Sequence, residues 1–176
     1  MNHYINIIFI LVFAIGVINP LHATDDNPGY IPLEELPLFQ EMETSMEVQI
    51  GESMIGLVAN NAERESPEFS RILRKLKQIR SFSFDLAGTP RNKIDEYLEQ
   101  ISTRLLDEQW EVVYRMREPE TTAYIYMKSV DGEVAGMTIY SIDQSEQVNV
   151  INVVGNISLE DISELAEQFG FPDISP

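Results

Sequence analysis

A chain of 176 residues with 29 acidic and 12 basic side chains has a formal net charge of −17. That sign repels nucleic acid and anionic membranes and favours solubility, and the length allows one ordinary domain. There is no cysteine, and the two histidines, His3 and His22, both precede residue 24.

Residues 1–23 contain no Asp, Glu, Lys or Arg, and Ile7 to Ile18 is an unbroken apolar run. Spanning a bilayer takes roughly 20 apolar residues. The shorter run has the length of a signal-peptide core, followed by Asn19-Pro20 and by Leu21-His22-Ala23 with a small residue last. The segment before the core lacks the usual Lys or Arg, so the competing reading is a leader retained as an anchor. The expectation is export to the periplasm or beyond, cleavage near Ala23, and a mature chain from Thr24 with no stable membrane anchor. No Cys stands near the cleavage point, which excludes lipid attachment of the bacterial lipoprotein kind. Without His or Cys, the mature chain can build no Ser-His-Asp or Cys-His nucleophile. Zinc sites on N or S ligands, His- or Cys-ligated haem and disulfides are excluded too. No cofactor is expected.

Residues 24–44 hold three prolines and no sustained period, which reads as an irregular lead-in. Tyr30, Ile31, Leu33, Leu36, Leu38 and Phe39 make it too apolar for a solvated tail, so it is expected to pack on the domain formed by residues 45–172. Met46, Val48 and Ile50 alternate with polar residues as a short strand. A helix follows over 52–65, and Ser66-Pro67 restarts one over 67–79. Phe69, Ile72, Leu73, Leu76 and Ile79 form its stripe. "SFSFDL" is a second strand, and Gly88-Thr89-Pro90 opens a helix buried through Ile94, Tyr97, Leu98, Ile101 and Leu105.

From Trp110 the pattern is a four-stranded meander over about 110–117, 122–130, 134–142 and 147–155. Asp131-Gly132 marks a hairpin. A three-residue loop, Asp131 to Glu133, pairs Met127 with Met137 and Ile125 with Ile139, which sorts apolar from polar faces as register requires. Beyond it, "VVGNISLEDISELAEQFG" mimics a phosphate-cradling junction but lacks the glycine spacing for one. Ser158 and Asp161 are instead placed as a capping box, with Ile157 and Ile162 at the staple positions. Gly170 and Pro172 end the helix.

The order of elements implies a two-layer α+β domain, with helices on one face of a mainly antiparallel sheet. In that order, "PGYIPLEEL", "MEVQIGESMIGLV", "SPEFSRILRKLKQIRSFSFDL" and "NVVGNISLEDISELAEQF" resemble the domain of unknown function 4252 family of exported bacterial envelope proteins. The resemblance spans nearly the whole mature chain and implies no activity and no catalytic residues. Many members carry a lipoprotein Cys after the signal, and this sequence departs from them there.

Two surfaces are candidates for function. Arg71, Arg74 and Lys75 stand opposite the apolar stripe of the helix from Pro67 and could dock an acidic protein partner. The alternative is a solvated helix face whose bases suit the helix dipole. Tyr124, Tyr126 and Tyr140 share the other face of the meander and could bind a ligand, or could form cross-strand pairs beneath the lead-in. The leading expectation is an exported, non-enzymatic interaction or accessory domain of the bacterial envelope, acting on a protein partner. The alternatives are a carrier of a small apolar ligand or lipid, and a hydrolase using two carboxylates with separated pKa values.

Overall fold

The computed structural model describes residues 27–86, 88–117, 122–142, 147–158 and 160–161. A 3₁₀ turn at Leu33–Glu35 and a short helix α1 (Pro37–Glu41) precede β1 (Thr44–Gly51). Then come α2 (Glu52–Ala62), α3 (Pro67–Leu73), β2 (Leu76–Asp85), α4 (Arg91–Asp107), β3 (Glu111–Arg117), β4 (Thr122–Val130), β5 (Glu133–Ile142) and β6 (Gln147–Ile157). The six strands form one antiparallel sheet in the order β1-β2-β6-β5-β4-β3, so the last strand sits between the N-terminal pair and the rest of the meander. Among the described residues no helix is long and apolar enough to cross a membrane.

The α+β class and the C-terminal meander are those the sequence implies. The helices, however, flank both faces of the sheet, not one. On the first face, Phe82, Val150 and Tyr140 align across β2, β6 and β5. They pack with α4, through Ile94, Tyr97, Ile101 and Leu105, and with Ile31, Leu33, Leu36 and Leu38 of the lead-in. On the second face, Ile79, Val153, Met137 and Met127 align and pack with Ile55 and Ala59 of α2 and Phe69 and Leu73 of α3. The expectation of one covered face treated the tyrosine face as polar. Tyrosines and threonines bury well when the covering segment is apolar, and the lead-in is.

The helix from Pro67 is shorter than its stripe suggested. It stops at Leu73, and β2 begins at Leu76. Leu76 and Ile79 continue a helical period, but Gln78, Arg80, Phe82 and Phe84 equally alternate as a strand. Pairing with both β1 and β6 decides for the strand. Ser66 occupies the N-cap, yet its side chain makes no capping hydrogen bond and the start rests on Pro67. At the end of α4, Gln109 takes a left-handed φ of 65°, and Trp110 N–H closes on the Leu105 carbonyl at 2.8 Å.

The β4–β5 connection corrects the loop but keeps the register. Asp131 and Gly132 both have positive φ, 55° and 85°, the signature of a two-residue type I′ turn, and Val130 faces Glu133. Ala135 then bulges out of β5, so Lys128 faces Gly136 and Met127 meets Met137 all the same. The bulge serves the lead-in. Asn27 turns the chain, its carbonyl accepting from Tyr30 N–H and its Oδ1 from Gly29 N–H, both at 2.9 Å, and Gly29 is set onto the bulge. A Cβ on Gly136 would lie 2.5 Å from Gly29 Cα.

Gly136→Ala is therefore expected to overpack two backbones, at a cost of about 1–3 kcal/mol. In a domain of this size that lowers the melting temperature by several degrees, which thermal circular dichroism reads directly. An unchanged midpoint would show that the lead-in is not seated on the bulge.

Candidate functional site

The basic residues of α3 and of the turn after it meet acids of the same chain. Asp161 follows β6, its side chain is 0% exposed, and its carboxylate accepts from Arg71 Nη1 at 2.7 Å and from Lys75 Nζ at 2.5 Å. The capping box is present here: Ser158 N–H and Oγ both donate to Asp161 Oδ2 at 2.8 Å, while Ser158 Oγ accepts from Asp161 N–H at 3.2 Å. The helix expected beyond Asp161 lies outside the described residues. Burial by itself raises the Asp161 pKa, but the hydrogen bonds from Lys75, Ser158 and Arg71 outweigh it and hold the carboxyl well below its ordinary range. Arg74 turns away, donating to Asn60 Oδ1 at 2.8 Å and Glu63 Oε2 at 3.2 Å. Arg71, Arg74 and Lys75 thus bind α2, α3 and the end of β6 together.

The tyrosines lie inside. Tyr126 and Tyr140 are 2% and 1% exposed, edge-to-face at 6.1 Å, beneath α4 and the lead-in. Burial raises both phenol pKa values. Tyr124, half-buried, stacks on Tyr126 at 6.3 Å, accepts from Arg117 at 3.2 Å, and has the Arg115 guanidinium 5.3 Å from its ring centre. Neither Tyr126 nor Tyr140 presents an open surface to a ligand.

Arg80 explains how the lead-in closes this face. It stands on β2 among the inward-facing residues, 3% exposed. It donates to Glu34 Oε1 at 3.1 Å, to the Tyr30 hydroxyl at 3.3 Å and to the Ile31 carbonyl. Its guanidinium carbon lies 4.2 Å from the Tyr30 ring centre. Asn152 continues the network, donating to the Gly29 carbonyl at 3.1 Å and to Thr138 Oγ1 at 3.0 Å. Farther along, Glu41 takes hydrogen bonds from Lys93 at 2.8 Å and Tyr97 at 2.9 Å, which lower its pKa. Arg104 reaches Glu35 at 2.8 Å. An open groove of about 790 Å³ runs between α1 and α4, lined by Glu35, Glu96, Glu99, Arg104, Asp107 and Glu108 among others. Nothing in residue spacing signalled Arg80; an Arg in the alternating core register of a strand was the available sign.

On the second face a further apolar row crosses the meander. Ile151, Ile139, Ile125 and Tyr114 align across β6, β5, β4 and β3 and are half-buried. Among the described residues, no group of three or more His, Cys, Asp or Glu side chains could hold a metal ion.

Two outcomes follow from this geometry. Asp161→Asn removes an acceptor charge from two cations and should cost about 2 kcal/mol near neutral pH. Because the folded-state pKa is depressed, the deficit relative to the natural chain is constant above the ordinary carboxyl range and shrinks as pH falls through and below 3.8; denaturant melts at several pH values test this. Tyr140 Oη is buried with no hydrogen-bond partner among the described residues. Tyr140→Phe should therefore leave the melting temperature unchanged or raise it, since deleting an unsatisfied polar group incurs no loss.

The family model for the domain of unknown function 4252 matches residues 39–165, and the chain belongs to that family. No curated protein and no solved structure matches it.

Proposed function

We propose that this family member is an exported, non-enzymatic accessory domain of the bacterial envelope that works by contact with another protein and without a cofactor. The observation that carries the reading is the closed tyrosine layer. A carrier of an apolar ligand would use the space between sheet and helix, and here Leu33, Leu36, Leu38, Tyr126, Tyr140 and α4 fill it. The leader-like residues 1–23 and the lack of any His or Cys after residue 22 support export and cofactor-free action. A net charge of −17 disfavours nucleic acid as the partner. The hydrolase alternative needs a carboxyl whose pKa is raised, as a general acid requires. Glu41 and Asp161 are displaced the other way, by cations that hold them ionised. The periplasm or the cell exterior is the proposed location, after cleavage near Ala23.

Native mass spectrometry of protein purified from its own cell envelope tests the reading. The expected mass is that of the polypeptide from Thr24, free of small molecules. A copurifying lipid or other apolar ligand would transfer the assignment to the carrier alternative. Recovery of the full-length chain in the membrane fraction would overturn the proposed processing.

A further inference from the structure

Strands β1 and β3 stand at the two ends of the sheet order, and both are open to solvent along much of their length. Thr44 to Glu47 and Gln49 are exposed on β1, and Glu111, Arg115 and Arg117 on β3. Alternate residues of an outermost strand aim their N–H and C=O groups away from the sheet, where another strand can pair with them. Neither strand contains Pro, so no donor is missing from either ladder. The two edges differ in their side chains. Pairing with β2 sets Glu47 opposite Phe82 and Gln49 opposite Arg80 on the first face, and Met46 and Val48 opposite Ser83 and Ser81 on the second. On β3, Arg115 and Arg117 stand on the first face, opposite Tyr124 and Thr122, with Tyr114 and Met116 on the second, opposite Ile125 and Ala123. One edge thus carries an acid where the other carries bases, and both are apolar on the second face.

We propose that the β1 edge of one copy of this chain pairs with the β3 edge of the next, joining copies head to tail into one continuous sheet. This contact is separate from the one with another protein proposed above. The strand count makes it geometrically direct. Every neighbouring pair is antiparallel, and with six strands in the sheet the first and the last in the order run in opposite directions. A second copy displaced along the sheet therefore meets β3 with an antiparallel β1, and the first face continues as the first face. In the register that avoids both bulges, Arg117 faces Glu47, Met116 faces Val48, Arg115 faces Gln49 and Tyr114 faces Ile50. Opposite charges meet on one face and apolar side chains on the other, the pairs that stabilise adjacent strands. The register shifts at Thr44/Met46 and Val112/Tyr114 lie outside this overlap. Two β1 edges together would offer no base to Glu47. Each copy carries −17, but at about 0.15 M salt charges are screened over about 8 Å. That distance exceeds the roughly 5 Å between paired strands and is far less than the separation of two domain centres. Local complementarity is therefore felt while repulsion between whole molecules is damped. Head-to-tail contact leaves one edge of each kind at the ends, so growth continues past a dimer.

Sedimentation velocity of the unaltered chain over rising concentration, at about 0.15 M salt, tests this. The expected result is a series of species that extends beyond the dimer. Glu47→Arg alone and Arg117→Glu alone each set like charges opposite one another, and each should raise the concentration needed for association about tenfold. The double variant, Glu47→Arg with Arg117→Glu, restores the opposite pair and should recover association, as should an equal mixture of the two single variants. A chain that stays monomeric at every concentration would overturn the proposal and leave the edges to a different protein. A dimer that ends growth, and that responds to Glu47→Arg but not to Arg117→Glu, would mark β1 against β1 and overturn it too. Association that ignores both substitutions would place the contact elsewhere, with the same consequence. Should a variant fail to fold, hydrogen exchange on the unaltered chain decides. Slower exchange over both 46–50 and 114–117 as concentration rises supports the proposal, and a change at one edge alone or at neither overturns it.

Discussion

The structure turns on the burial of Arg80. A guanidinium on the inner face of a sheet carries a desolvation penalty of several kcal/mol unless its donors are met. Phe82 and Phe84, farther along the same strand face, are apolar and offer it no acceptor. The lead-in provides acceptors for its two terminal nitrogens, namely the Ile31 carbonyl, Glu34 and the Tyr30 hydroxyl, and sets the Tyr30 ring against it, while Nε has no partner among the described residues. Arg80 thus requires residues 30–34, and their placement decides the rest of that face. It sets Gly29 on the Ala135 bulge and Leu33, Leu36 and Leu38 over the tyrosines, and it lets Glu35 and Glu41 reach α4.

The glycines of the sheet follow from the same arrangement. Gly136 is small because Gly29 crosses it, and Gly155 is small because the backbone at Lys75 and Leu76 passes within 2.6 Å of where its Cβ would be. Both sit where the ladder shifts register, at Val134/Gly136 and at Leu76/Gln78. Bulges re-aim strands and make room for close neighbours, and here they admit the lead-in at one and the Lys75–Leu76 entry to β2 at the other.

Much of this was legible from local pattern. Alternation gave the strands of the meander and the pairing of Tyr124 with Tyr140 and Met127 with Met137. The capping box at Ser158 and Asp161 follows from residue types three apart. What failed depended on distant partners. The two-residue turn with a bulge and the three-residue loop give the same register, and only Gly29, more than a hundred residues away, distinguishes them. The helix from Pro67 was extended through Leu76 and Ile79 because both periods fit, and the strand won through pairing with β6. The ion pairs of the basic residues after Pro67 were not legible, because Asp161, which accepts from Arg71 and Lys75, lies 90 residues from Arg71. The cover of the tyrosine face was legible as the apolar lead-in, but α4 on that same face was not.

The strand order has a kinetic side. The contact of Asn152 with Gly29 joins residues 123 positions apart, and β2 finds its second neighbour in β6, the last strand among the described residues. Residues 29–34 therefore have no complete site until β6 is in place, and loop closure over such distances makes folding slow.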